Sequence, residues 1–171
     1  KDNYGSQKQN KKINIEFVSA NPTGPMHVGH CRGAVLGDVI SNLLSFNGNK
    51  VIKEYYINDY GVQINNFVKS VYLRIREIKF KEKFQDSSEL YPGNYIIDIA
   101  KDILKNHPKL DLNNYENCYE ELKSKSLKFS MDSIKKDLKT LGIEHNNFIS
   151  ETDLVKEDFV NKTLHLLKKK N

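Results

Sequence analysis

Ile13-Asn14-Ile15-Glu16-Phe17-Val18 runs into Ser19-Ala20-Asn21-Pro22-Thr23-Gly24-Pro25 and then into Met26-His27-Val28-Gly29-His30. Ile13, Ile15 and Phe17 alternate with polar residues, the period-two pattern of a strand. Two prolines and a glycine mark the next stretch as loop. Beyond it, Val28, Val35, Leu36, Val39, Ile40, Leu43 and Leu44 recur at three-to-four spacing. That spacing predicts a helix over about 27–46, stopped by Asn47-Gly48-Asn49. Val51 to Ile57 is short and β-rich, a second strand. Strand, loop, helix, strand is the order of a parallel pair joined by a right-handed crossover.

The flanks are simpler. Residues 1–12 are polar and basic without periodicity and read as a linker or tail. After Asn58-Asp59-Tyr60-Gly61 the chain turns helical, with Ile64, Phe67, Val68, Val71, Tyr72, Ile75 and Ile78 on one stripe. Residues 79–92 read as a charged loop ending at Tyr91-Pro92-Gly93. A helix near 94–105 stops before Pro108. Leu127, Met131, Ile134, Leu138 and Leu141 form a strong amphipathic stripe, with Gly142 placed to cap it. A last helix is expected over about 153–169. On this reading the strands sit in the first third and helices fill the rest.

Composition bounds the possibilities. The chain has 171 residues, 38% of them hydrophobic, and a formal charge of +5. No run approaches the roughly 18 apolar residues of a membrane span. The polar start carries no signal-peptide pattern. Cys31 and Cys118 stand far apart, which excludes a disulfide scaffold or a four-cysteine zinc site and fits a reducing, cytoplasmic setting. The positive charge permits a nucleic-acid partner without requiring one. A first residue of Lys1 leads us to expect a piece of something longer.

The chemistry concentrates at the first turn. His27 and His30 lie three apart, so at a helix start both can face the same way. A helix N-terminus offers free N–H groups and the positive end of a dipole. In open α/β sheets ligands bind at the carboxyl ends of strands, which is this place. Gly29 removes a side chain between the histidines, and Gly29, Gly33 and Gly37 make a smooth stripe. Pro22 and Pro25 stiffen the loop. Together they suggest a phosphate and nucleobase cradle that uses imidazoles instead of a lysine. A lone His-x-x-His pair on a helix more often simply faces water, and a glycine stripe usually means close helix packing. It is their coincidence at this turn that favours function. A metal reading lacks a third ligand at suitable spacing, so no metal site is expected.

The run from Glu16 to His30 resembles the signature of arginyl-tRNA synthetases, class I aminoacyl-tRNA synthetases, with His27-Val28-Gly29-His30 similar to their "HIGH" motif. Cys31-Arg32-Gly33-Ala34-Val35-Leu36-Gly37-Asp38 continues the resemblance. So do Tyr56-Ile57-Asn58-Asp59-Tyr60-Gly61-Val62-Gln63, Tyr91-Pro92-Gly93-Asn94-Tyr95, and Leu141-Gly142-Ile143 with Ser150-Glu151. The resemblance implies an α/β fold: over 13–63 the first half of a Rossmann-like nucleotide-binding fold with parallel strands, then over 64–171 a mostly helical connective insertion.

It also implies an activity, the joining of L-arginine to ATP, with Mg2+, as arginyl-adenylate, and transfer to the 3′ end of the arginine tRNA. The attacking group is the substrate carboxylate, so catalysis is positioning and charge stabilisation. By that resemblance His27 and His30 are catalytic and bind the ATP phosphates, with Pro22, Thr23, Gly24 and Gly29 completing the ATP site. Glu16 would take the substrate guanidinium, which suits a bidentate carboxylate. Ser19 and Asn21 would hold the amino and carboxylate end. Asn58, Asp59 and Gln63 read equally as helix-cap residues or as lining of the site. Lys79, Lys81, Lys83 and Lys168-Lys169-Lys170 read as solvated faces, with tRNA phosphate contact the alternative.

The family's second signature, the lysine-rich "KMSKS" loop, does not occur in the 171 residues. We therefore expect this piece to be inactive by itself and the parent chain to be a monomer without a tightly bound cofactor. Two rivals stand beside this reading: a nucleotidyltransferase sharing His-x-Gly-His, and a non-catalytic RNA-binding module derived from a synthetase.

Overall fold

A computed structural model describes residues 4–7, 9–84 and 87–170. Residues 1–3 and 8 of the expected tail lie outside the described residues, as do 85 and 86 in the charged loop. The elements are β1 (Lys12–Glu16), α1 (Val28–Phe46), β2 (Lys50–Ile57), α2 (Val62–Phe80), α3 (Asn94–Asn106), α4 (Tyr115–Thr140), β3 (Asn147–Ser150), α5 (Glu151–Lys156) and α6 (Phe159–Lys170). The sheet order is β1-β2-β3, and both pairs are parallel. Ile13 lies opposite Val51 and Glu16 opposite Glu54. None of the described helices is long and apolar enough to cross a membrane.

The expected strand–helix–strand unit is present. Two expectations are corrected. A third strand, β3, lies late in the chain, so the strands are not confined to the first third. Its four residues are too few to show a period, and it exists because β2 offers a free edge. Asn146 pins the register: its side-chain oxygen accepts from Lys53 N–H (2.8 Å) and its own N–H donates to the Lys53 carbonyl (2.8 Å). The second correction is the last helix, which is two helices. The break is Asp158 at φ +60°, a left-handed conformation that Asp tolerates better than most residues. The Asp158 carboxylate accepts from the Asn161 amide (2.6 Å) and steadies the break.

Contacts divide the chain into two compact units. The first holds the described residues of Lys1–Asn21, Met26–Asp59 and Lys135–Asn171. The second holds Pro22–Pro25 and Tyr60–Ile134. The core of the second is the α2 stripe (Ile64, Phe67, Val68, Val71, Ile75) packed with Ile96, Ile99 and Ile103 of α3 and Leu122 of α4. The amphipathic spacing read from the sequence produces this packing directly. The α4 helix is longer than its stripe suggested, beginning at Tyr115. It ends as expected at Gly142 (φ +75°): Ile143 N–H donates to Leu138 O (2.9 Å) and Gly142 N–H to Lys139 O (3.0 Å), a Schellman closure.

In the first unit α1 is turned unusually. The α1 residues it buries are small, Ala34, Gly37 and Ser41. Leu36 and Leu43 stay 61% and 58% exposed, and Val35, Val39 and Ile40 share that outward side. The small face lets α1 sit close to the sheet. Asp38, Asn42 and Lys53 tie it there, with Lys53 Nζ donating to Asp38 (2.6 Å) and Asn42 (3.1 Å).

Candidate active site

Glu16 ends β1, and the ladder continues one step further as Phe17 N–H donates to the Glu54 carbonyl (3.2 Å). The chain then turns sharply. Val18 and Ser19 both have positive φ, +68° and +42°. Ser19 N–H donates back to the Phe17 carbonyl (3.0 Å), closing a three-residue turn around Val18. For a β-branched residue this is an outlier, and such strain costs on the order of 1–3 kcal/mol per residue. The consequence is chemical. The Ser19 hydroxyl swings back to donate to the Glu16 carboxylate, while its oxygen accepts from Tyr56 N–H (3.0 Å) of β2. Glu16 itself stays exposed, its carboxylate available to a cation.

The two histidines are held by one another and by the helix they start. His27 is the N-cap of α1, and its Nδ1 accepts from Gly29 N–H (3.1 Å) and His30 N–H (3.4 Å). His30 Nδ1 accepts in return from His27 N–H (3.3 Å). This is a capping box made of imidazoles, with the rings stacked 3.7 Å apart at 17°. Accepting through Nδ1 requires its lone pair, so each ring carries its proton on Nε2. Both Nε2–H groups remain as donors. Burial, and secondarily the neighbouring His27, hold the His30 pKa below its ordinary value, favouring this neutral form. A Cβ on Gly29 would lie 3.0 Å from the His27 ring, so the glycine makes room for the cap.

The remaining expected site residues fall in different surroundings. Asn21 is exposed at the end of the turn. Pro22, Thr23 and Gly24 belong to the second unit, where Pro22 and Thr23 are buried and Gly24 faces the Tyr95 ring. Asp59 is committed elsewhere: its carboxylate accepts from the Ser150 hydroxyl (2.6 Å) and Thr152 N–H (2.8 Å), and its carbonyl accepts from the Thr152 hydroxyl (3.0 Å). It staples the end of β2 to the start of α5. The cap of α2 is Gly61, without a side-chain bond, so the helix-cap reading of Asp59 is corrected to a tie across the sheet end. Asn58 is half-buried, and Gln63 is exposed in the first turn of α2.

Two side chains and one backbone amide around the strained turn had no role in the sequence reading. Tyr56 supplies the amide that fixes Ser19. Tyr55, fully buried in β2, donates its hydroxyl to the Ala20 carbonyl (2.8 Å). His145, between α4 and β3, lays its ring 4.3 Å from that of Phe17. Both of its ring nitrogens are sealed from solvent, and neither meets full hydrogen-bond geometry, although the Phe17 backbone lies within electrostatic reach of the ring. Burial depresses its pKa, the Phe17 backbone opposes, and Lys53 adds to the depression. No local sequence signal marks these residues; only the fold brings them to the turn.

A parallel βαβ unit whose crossover helix starts on paired histidines, with a carboxylate at the end of its first strand, is the kind of unit that binds nucleotides in open α/β folds. The family model for the catalytic domain of class I tRNA synthetases, the arginine (R) group, matches residues 1–171, and the chain belongs to that family. Among its relatives is the arginine–tRNA ligase of Pelagibacter ubique, 55% identical over 170 residues, covering 98% of this chain and 30% of that protein. That of Anaplasma phagocytophilum is 47% identical over 161 residues, covering 94% and 27%. A solved arginyl-tRNA synthetase chain from Campylobacter jejuni superposes with a TM-score of 0.84 at 35% identity, over 96% of this chain and 36% of its own. The chain thus spans about three-tenths of the length of the curated relatives it matches.

Proposed function

We propose that this chain is the amino-acid and ATP half of the catalytic core of an arginine–tRNA ligase, a cytoplasmic enzyme acting as a monomer. Arginine and the magnesium complex of ATP are the substrates of the first step, and the arginine tRNA is the acceptor of the second. The observation that carries the reading is the reciprocal histidine cap. It spends both Nδ1 acceptors on the helix start and leaves two Nε2–H donors for phosphate oxygens, beside the positive end of the α1 dipole. Gly29 keeps the approach open, and Pro22, Thr23 and Gly24 supply the backbone of the ATP loop.

Glu16, oriented by Ser19, takes the guanidinium, and Asn21 with Ser19 takes the amino and carboxylate end. The carboxylate of arginine attacks the α-phosphorus, pyrophosphate leaves, and no protein nucleophile is needed. The chain by itself does not aminoacylate, because the KMSKS loop that steadies the leaving phosphates is not among its residues. An amide-resolved NMR titration tests the reading. Magnesium–ATP is expected to shift signals around His27–Gly33, and arginine, but not lysine, those around Glu16–Asn21. Equal responses to arginine and lysine would defeat the assignment of Glu16.

A further inference from the structure

The strained turn at Val18 and Ser19 needs something to hold it, and its two ends are gripped from outside the expected site. On the far side Ala20 is 3% exposed, and its carbonyl accepts from the Tyr55 hydroxyl (2.8 Å), with Tyr55 itself at 0%. On the near side the Phe17 ring lies against His145 (4.3 Å, 34°). Tyr55 and His145 meet edge to face, centroids 5.4 Å apart at 86°. One ring therefore holds each end of the turn, and the two rings brace each other.

We propose that Tyr55 and His145 are positioning residues for the arginine end of the site: they maintain the turn that brings the Ser19 hydroxyl onto the Glu16 carboxylate. The proposal rests on the reading of Glu16 as the guanidinium partner. The backbone of Glu16 is fixed by the β1–β2 ladder, so relaxing the turn leaves the strand intact. What moves is Ser19, and with it the orientation of the carboxylate. A bidentate ion pair tolerates only about 0.5 Å and 10–20° of misplacement, so arginine is the substrate that notices. The histidine pair is held by its own cap, so ATP is not.

The part played by His145 is that of a ring face. Its two nitrogens are sealed in without a hydrogen bond of full geometry, a cost that the approach to the Phe17 backbone offsets only in part. A phenyl ring at this position keeps the contact with Phe17 and removes that cost.

The test uses the complete synthetase carrying this sequence, with arginine and ATP varied separately in tRNA aminoacylation. Tyr55→Phe and His145→Ala are expected to raise KM for arginine about fivefold, the worth of one neutral hydrogen bond or a lost packing contact. KM for ATP stays within about twofold, the spread of an ordinary kinetic comparison. His145→Phe restores the arginine KM and raises Tm above the parent. An unchanged arginine KM in Tyr55→Phe and His145→Ala overturns the proposal. So does a parallel rise of both constants that follows the loss of Tm, which is the mark of a merely structural role. If Tyr55→Phe does not fold, the His145→Ala and His145→Phe pair decides alone. Glu16→Gln is the control for the underlying reading. If it leaves the arginine KM unmoved while Tyr55→Phe raises it, the guanidinium assignment fails and the proposal that rests on it falls with it. If Tyr55→Phe and His145→Ala are silent while Glu16→Gln is not, the positioning fails and the assignment stands.

Discussion

A β-carbon on Gly37 would sit 2.3 Å from Cγ of Phe17 and 2.6 Å from its Cβ, the rigid base of that side chain. The glycine therefore sets how closely α1 approaches the turn that carries Glu16 and Ser19. Gly37→Ala is expected to destabilise the chain by about 1–3 kcal/mol, the range of overpacked cores, read as a lower Tm in thermal unfolding. The histidines give a second residue-scale expectation. His30 and His145 both have folded-state pKa values held below the ordinary value of about 6.5, in each case chiefly by burial. The unfolded chain then binds more protons than the folded one between the two values, so stability rises with pH across that window. Their contribution is complete above about pH 6.5 and is lost as pH falls through the depressed folded values. Denaturant unfolding from pH 8 to 5 should show this decline, and it should shrink in His145→Phe.

Short elements here owe their existence to single polar ties. The β3 strand is four residues long and is aligned by Asn146 on Lys53. Directly after it, Ser150 caps α5 by accepting from Asp153 N–H (3.2 Å) and donates to Asp59. Removing the Asp59 carboxylate leaves the Ser150 hydroxyl and Thr152 N–H, both part-buried, without their acceptor. Asp59→Ala is therefore expected to cost about 1–3 kcal/mol, the penalty for unmet donors. Hydrogen exchange should quicken in β3 and α5, while the α2–α3 core of the second unit keeps its protection.

At the scale of the whole molecule the outstanding feature is the outward side of α1. The only acidic residue of α1, Asp38, is turned to Lys53 of the sheet, and between Gly33 and Phe46 no other charge occurs. A helix apolar on its outer side and small on its inner side suits the interior of a larger body. In the isolated chain that face meets water, and an apolar patch of this kind is an association site. Leu36→Lys with Leu43→Lys should reduce binding of a hydrophobic dye and self-association in light scattering. Tm should move by no more than about 0.5 kcal/mol in equivalent stability, because neither side chain is buried here and Lys matches Leu in helix propensity.

The sequence by itself determined the local structure and the kind of chemistry. Period-two alternation at Ile13–Phe17, the proline loop and the three-to-four spacing after His27 specified strand, turn and helix, because those patterns depend only on backbone geometry and on burying one face. The motif from Glu16 to His30 specified the family for the same local reason: adjacent residues carry it. Other features were decided by the tertiary structure alone. The β3 strand has no period of its own and forms only against the edge of β2. Asp59 read equally as a cap for the helix that follows it or as lining of the site, but its partners, Ser150 and Thr152, lie more than ninety positions away in the chain. The outward turn of α1 shows only once Ala34, Gly37 and Ser41 are seen against the sheet. The strain at Val18 and Ser19, and the rings of Tyr55 and His145 that grip it, are contacts between distant segments. Local propensity does not encode such contacts, because their energy exists only when the chain has already folded.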